Sequence, residues 1–224
     1  MSENNKLVEL NTVTKIYRDA DTKVFALLDV SFSVINNDYL AVVGPSGSGK
    51  STLLHIMGGL DIPTAGEVLF QGKDIYKMGE RKLARWRNKT IGFVFQFYYL
   101  IEELNVLENV ALGAFLEQRK LALKSAQGLL EYLGIEKRRK FFPSQLSGGE
   151  KQKVAIARAL VSDPDILLCD EPTGNLDKDS QDKVVEFFEK LNREKGKIIV
   201  LVTHNLELAK RAKRILPIEG GQIR

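Results

Sequence analysis

Gly44-Pro-Ser-Gly-Ser-Gly-Lys-Ser51 sets three glycines, a lysine and a hydroxyl within eight residues. That combination suits a chain of phosphates. Glycines at 44, 47 and 49 let the backbone curl until several N–H groups point at one anion. Lys50 adds a point charge for β- and γ-phosphates, and Ser51 offers a hydroxyl to Mg²⁺. The flanks carry the right context for this pattern. Tyr39-Leu-Ala-Val-Val43 is an apolar run of the buried-strand kind, and Ser51 to Met57 reads as a helix whose positive end faces the loop.

Three further runs end in groups that can act on a phosphate. Asp165-Ile-Leu-Leu-Cys-Asp170 reads as a buried strand, with Glu171 next. Side chains alternate along a strand, so Asp170 can face a Mg²⁺ ion while Glu171 reaches elsewhere. A carboxylate beside the γ-phosphate can polarise an attacking water, a contribution of about 10²–10⁴-fold. Ile198 to Val202 is a third strand, with Thr203-His204 at its carboxyl end. Ligands bind at that edge of open α/β sheets. An imidazole there could hydrogen-bond the γ-phosphate and hold Glu171 and the water in register. Ile91-Gly-Phe-Val-Phe95 ends in Gln96. Its amide is either a weak, releasable ligand for Mg²⁺ or water, or a polar residue closing a strand. His55 reads as structural, since nothing reactive neighbours it in the sequence.

Leu146-Ser-Gly-Gly-Glu150 is a second anion site in waiting. Ser147 with Glu150 three residues later is a capping box, and Lys151 to Leu160 reads as the helix behind it. The glycines leave backbone N–H groups bare at its N-terminus. The spacing alone does not say whose anion they meet.

At this point the chain resembles the ATP-binding cassette (ABC) transporter ATPases over essentially its whole length. The matching pieces run in order: Gly44 to Ser51, Gln96, Leu146 to Glu150, Ile166 to Glu171, Gly174-Asn-Leu-Asp177 and His204. The Ser-Gly-Gly signature is the most specific, because other P-loop NTPases lack it. The resemblance implies ATP and Mg²⁺ as cofactors. It implies Glu171, His204 and Lys50 as catalytic, and Ser51, Gln96 and Asp170 around the metal. Tyr17 would stack on adenine, worth about 1–3 kcal/mol. Gly44, Ser46, Gly47, Ser48, Gly49, Thr52 and Asp177 join the nucleotide-binding set. The implied assembly is a head-to-tail homodimer, with each ATP between one chain's phosphate loop and the other's Ser147, Gly148 and Gly149.

Finer markers resemble one branch, the cassettes of lipoprotein-releasing and macrolide-export systems. They are Glu171 to Asp177, Gly58-Gly-Leu-Asp61 and Phe93-Val-Phe-Gln-Phe97. A regulatory cell-division cassette is a near relative. Soluble ABC proteins acting on DNA or ribosomes are a further class, but their long coiled-coil arms or second cassette are absent here. Two departures stand out. Asn205 follows His204 where many relatives carry Asp, and Glu102 and Asn105 replace the branch's usual Pro and Thr.

The elements that must hold these residues follow from the pattern. With one phosphate loop and no internal repeat, 224 residues suit one cassette. The expected fold is α/β: a P-loop NTPase core with an antiparallel β edge and an inserted α-helical subdomain. The core takes residues 1–97 and 163–224, and the helical part 98–162. The β edge is expected from Leu7 to Thr14, Phe25 to Val34 and Gly66 to Phe70. Leu107 to Leu116 and Leu121 to Leu133 carry helical spacing, and Arg214 to Arg224 reads as a strand and turn. No run reaches the roughly 18 apolar residues of a membrane helix, and the N-terminus is polar. The expectation is a cytoplasmic protein, peripheral on the inner membrane through permease subunits. Cys169 is the sole cysteine, which precludes an internal disulfide, and it reads as a core thiol. The net charge of +4 gathers in basic clusters at 81–87, 137–140 and 210–214 that read as solvated helix faces. Nucleic acid is not an expected partner, since basic residues are not interleaved with aromatics.

Overall fold

The computed structural model describes residues 6–19, 22–114 and 119–224. A hairpin comes first, β1 (Lys6–Asp19) and β2 (Thr22–Ile35), and β3 (Tyr39–Val43) then leads through the glycine loop into α1 (Lys50–Met57). β4 (Ala65–Phe70), β5 (Lys73–Asp74), α2 (Glu80–Thr90) and β6 (Ile91–Phe95) follow. Next come α3 (Val106–Ala111), α4 (Arg119–Tyr132) and α5 (Gly148–Leu160). The rest is β7 (Ile166–Asp170), α6 (Lys178–Lys195), β8 (Ile198–Thr203), α7 (Leu206–Ala209), β9 (Arg214–Glu219) and β10 (Gln222–Ile223).

Two sheets form. One is antiparallel, in the order β2-β1-β4-β5; the other runs β10-β9-β3-β8-β7-β6 and is parallel from β9 to β6. Alternation along the parallel strands sorts their side chains into two cores. Tyr39, Leu167, Cys169, Ile199 and Leu201 join the helices α3, α4, α5 and α6. Leu40, Val42, Leu168, Val200 and Val202 join α1 and the antiparallel sheet. The phosphate-loop helix and the helix behind Ser147 therefore pack on opposite faces of one sheet. Cys169 is fully buried on the α5 side, and burial pushes its thiol far up, so it is inert.

The fold class is as expected, with helices α3 to α5 inserted between β6 and β7. Three details differ from the sequence reading. The hairpin strands run to 14 residues each, well past the alternating segments. Val24 and Phe25 near its tip are 58% and 53% exposed, so backbone pairing, with no core beneath it, carries the extension. Tyr17 consequently lies inside β1, beyond the expected strand end at Thr14, paired with Val24. The helix expected over Leu107–Leu116 is α3 followed by a 3₁₀ turn, Leu112–Ala114, and its last two positions lie outside the described residues. Two of the basic clusters are partly paired with acids: Arg138 with Glu150 and Arg139 with Glu136 in one, Arg211 with Glu189 and Arg214 with Asp38 in the other.

One buried side chain ties the stretch after Gln96 to the helical part. Asn109 has no exposed surface; its Oδ1 accepts from the Ile101 N–H at 2.8 Å. Its Nδ2 donates to the carbonyls of Ile101, Leu104 and Asn105 at 3.0, 2.9 and 3.2 Å. Asn109→Ala strands these groups, and should cost about 3 kcal/mol of stability by chemical denaturation. ATP affinity should hold, because α1 packs on the other face of the sheet.

Candidate nucleotide site

Parallel register brings the suspected groups to one edge. Val43 is level with Thr203, Asp170 with Val202, and Phe95 with Asp170. The glycine loop, Gln96, Glu171 and His204 thus leave adjacent strands at their carboxyl ends, where a ligand is expected.

The loop is built for an anion. Gly49 caps α1 at φ 99° with no side-chain cap, so the helix's first N–H groups stay open. A Cβ at Gly49 would also lie 2.2 Å from the Ala26 carbonyl oxygen. Lys50 is buried, and its Nζ donates to the carbonyls of Gly44 and Pro45 at 2.9 and 2.8 Å. These weak neutral acceptors hold the ammonium over the loop. The Ser48 hydroxyl is buried with no hydrogen-bond partner. An anion in the loop would supply the missing partners.

Ser51, at the start of α1, hydrogen-bonds Asp170. Burial raises the Asp170 carboxyl above the usual carboxylate range, only partly offset by Ser51. A buried acid beside a hydroxyl is a fitting first shell for a hard divalent cation. No group of three or more His, Cys, Asp or Glu among the described residues could hold a metal by itself. A cation here would need ligands from outside the protein, as Mg²⁺ on phosphates has.

Glu171 takes the left-handed region at φ 45°, uncommon for a glutamate and of order 1–3 kcal/mol in strain. Its N–H still bonds the Val202 carbonyl at 3.0 Å, so strand pairing over-determines the turn. Its Oε1 accepts from the His204 backbone N–H and from Nδ1, both at 2.9 Å. That bond puts the ring proton on Nδ1 and leaves Nε2 as an acceptor in the neutral ring. The carboxylate is mostly shielded and the imidazole mostly exposed.

Gln96 meets the chain after Glu171. Its Nε2 donates to Asn175 Oδ1 at 3.4 Å, and Asn175 Nδ2 returns a bond to the Gln96 carbonyl at 3.1 Å. Ser147 caps α5 with Glu150 as drawn from the sequence, at 3.3 and 2.9 Å. The Ser147 N–H and then the Arg138 guanidinium hold Glu150 below the usual carboxylate range. Asp177 caps α6; its two carboxylate oxygens accept from the Ser180 N–H and hydroxyl at 2.9 and 2.8 Å. Tyr17 hydrogen-bonds Thr52 on α1, which brings its ring beside the loop.

A family model described as "ABC transporter" matches residues 27–174. The chain is 50% identical over 223 residues to an uncharacterized ABC transporter ATP-binding protein of Thermotoga maritima, covering 97% of this chain and 94% of the relative. It is 46% identical over 219 residues to the lipoprotein-releasing system ATP-binding protein LolD of Shewanella oneidensis, covering 97% and 95%. The chain belongs to the ABC transporter family. Its fold matches a dimeric structure of MJ0796, a bacterial ABC transporter cassette, with a TM-score of 0.91 at 38% identity, covering 97% of both chains. The same cassette bound to ADP and Pi, a dimeric post-hydrolysis state, gives 0.90 at 38%. This chain is accordingly an ATP-binding, ATP-hydrolysing cassette of that family, a transporter's ATPase subunit.

The cassette's departures from its relatives' pattern have local explanations. Asn205 caps α7, its Oδ1 accepting from the N–H groups of Glu207 and Leu208 at 3.0 and 3.4 Å, as an Asp would. Asn105 caps α3 in a capping box with Glu108, as a Thr would. Nothing in the structure explains Glu102. His55, read from the sequence as structural, has its ring 6.4 Å from that of Phe95. Both line an open groove of ≈ 790 Å³ beside the Gln96 stretch, with Leu60, Phe93, Tyr99 and Arg158. Asn175 was missed as a functional candidate, because nothing in its spacing points at Gln96, 79 residues away.

Proposed function

We propose that this cassette powers a membrane transporter of the lipoprotein-release or macrolide-export type, as a head-to-tail homodimer around two MgATP. One observation carries the dimer. The phosphate loop and the Ser147–Gly149 segment sit with helices on opposite faces of the sheet, so one chain cannot close both on one γ-phosphate. Gly148 and Gly149 also avoid positive φ, and the nearest atoms a Cβ there would meet are side-chain hydroxyls, Tyr98 at 3.2 Å and Ser180 at 3.1 Å, with the Asn175 carbonyl at an ordinary 3.7 Å. Their own chain does not need glycine at these positions; a close approach from outside does.

Within each composite site Lys50, the loop N–H groups and the partner copy's signature N–H groups hold the phosphates. Ser51 and Asp170, with Gln96 when released from Asn175, would hold Mg²⁺, which supplies Lewis acidity at the phosphate oxygens. Glu171 accepts a proton from the attacking water, and His204 holds its carboxylate in place. Tyr17 provides the surface for adenine. Asp177 sits at the dimer interface.

Residues 98–162 form the helical unit, entered directly after Gln96, whose side chain is held to Asn175 within the core. Membrane subunits dock in the groove lined by Leu60, Phe95 and Tyr99, where Leu60 and Tyr99 are exposed apolar side chains that need a cover. Among the described residues no helix is long and apolar enough to cross a membrane, so docking would hold the cassette at the cytoplasmic face of the inner membrane. LolD at 46% identity supports the branch. Co-purification from native membranes tests it: permease subunits of either system are expected, and cell-division proteins alone would contradict it.

Lys50→Ala should weaken MgATP binding about tenfold or more while melting like wild type, since the ammonium's own-chain partners are two neutral carbonyls of the loop and no carboxylate. Isothermal titration with MgATP reads the loss.

A further inference from the structure

The Gly58-Gly-Leu-Asp61 marker has a geometry that the hydrolytic site leaves unused. The loop closes tightly on α1: the Leu60 and Asp61 N–H groups donate to the His55 carbonyl at 2.8 and 3.3 Å. The Tyr76 hydroxyl bridges the carbonyls of Ile56 and Asp61 at 2.5 and 2.6 Å. Asp61 is thereby fixed to the helix that carries the phosphate loop.

Its carboxylate faces the hairpin. Oδ2 accepts from the Tyr17 hydroxyl at 2.6 Å, and Oδ1 accepts from Lys15 Nζ at 2.5 Å. Lys15 also donates to the Ile62 carbonyl at 2.8 Å, and its Nζ stands 4.9 Å from the Tyr17 ring centroid. The ammonium therefore occupies one face of the ring. The hydroxyl is held at the edge, and with Tyr17 42% exposed an aromatic ligand has the face away from Lys15 to stack on. Burial alone would raise the Asp61 carboxyl, but the bonds from Lys15 and Tyr17 outweigh it and hold it below the usual range. At neutral pH it is an acceptor for both.

We propose that Asp61 is a positioning residue for the nucleotide base: it locks the Tyr17 ring through the hydroxyl, closes one ring face through Lys15, and sets the stacking platform at fixed reach from the phosphate loop. This rests on the reading of Tyr17 as the adenine platform. Without the lock, Tyr17 sits on a long hairpin with exposed residues at its tip, and ordering the ring becomes a cost of binding. Asp61 touches no phosphate, so its effect belongs to base recognition alone.

The test compares two ligands that share phosphates and differ in the base. MgATP and magnesium tripolyphosphate are titrated against wild type, Tyr17→Ala, Tyr17→Phe, Asp61→Ala and Asp61→Asn. Tyr17→Ala should weaken ATP about tenfold by losing the stack. Asp61→Ala and Tyr17→Phe should each weaken it about 3–5-fold, and the double variant should lose less than the product of the two, because the Tyr17–Asp61 bond is common to both while Asp61 also holds Lys15. Asp61→Asn keeps an oxygen for the hydroxyl and should recover most of the loss. Tripolyphosphate affinity should stay at the wild-type value throughout, and turnover should show a raised KM with unchanged kcat. If Tyr17→Ala leaves ATP affinity intact, the platform reading fails and the proposal with it. If Tyr17→Ala weakens ATP but Asp61→Ala and Tyr17→Phe do not, the platform stands and Asp61 does not position it. Equal losses of ATP and tripolyphosphate in Asp61→Ala would make Asp61 a support for α1, and so also overturn the proposal. Should Asp61→Ala fail to fold, Tyr17→Phe removes the same bond with one oxygen deleted and decides the question.

Discussion

Glu171→Gln is expected to bind MgATP as wild type does and to turn it over at least about 10²-fold more slowly, a rise of about 2.7 kcal/mol in the barrier. The geometry isolates the chemistry. Glu171 Oε1 takes two bonds from His204, at the backbone N–H and at Nδ1. A glutamine oxygen can accept the same two, so the side chain should stay in place at its left-handed backbone position. What it loses is the capacity to take a proton from water. ATP should therefore close the dimer without reopening it, and size-exclusion chromatography with MgATP should show a stable dimer peak. Near-normal turnover would move the base role elsewhere, with His204 the first candidate, since its Nε2 is left free by the same contact.

The parts legible in the sequence are those in which chemistry dictates residue type at fixed spacing. The loop from Gly44 to Ser51 and the strands ending in Asp170 and Thr203 are of this kind. Strands buried on both faces read as short apolar runs, and β3, β7 and β8 are almost entirely buried. The capping box at Ser147 was legible because both of its partners lie within one helical turn. Contacts that depend on distant segments meeting were not. Tyr17 and Asp61 are 44 residues apart, and Gln96 and Asn175 are 79 apart. The full hairpin was hidden for another reason: its outer half pairs through the backbone with its side chains in solvent, so no alternation marks it. Helix α6 did carry a readable signal, Val184, Phe188 and Leu191 at helical spacing between an Asp177 cap and a Gly196 stop at φ 64°. The sequence reading took Asp177 only as part of a nucleotide motif and passed over the helix it begins.

Gly149→Asp has the other large expected effect. The residue opens α5 next to the Ser147 cap, and on its own chain a new Cβ would meet the Ser180 hydroxyl at 3.1 Å. Easing that contact costs at most the Ser180 hydroxyl's bond to Asp177, while the Ser180 N–H still caps α6, so the fold and monomer ATP binding should survive. In the dimer the new carboxylate would face the partner copy's γ-phosphate, and like charges brought together in a closing interface repel strongly. Homodimeric ATPase activity should fall about 10²-fold or more, on the scale of losing anion-stabilising donors.

Mixing tests the central claim, that each active site is built from two copies. Lys50→Ala chains keep an intact signature, and Gly149→Asp chains keep an intact phosphate loop. A heterodimer of the two places both defects in one composite site and leaves the other site whole. Random pairing makes half the dimers mixed, each with one of its two sites intact. If one site turns over alone, activity should return to about a quarter of the wild-type rate from two nearly inactive parents. A mixture no more active than its parents, together with loss of ATP binding by Gly149→Asp monomers, would mean that the signature acts on its own chain's nucleotide, and the head-to-tail account would be wrong.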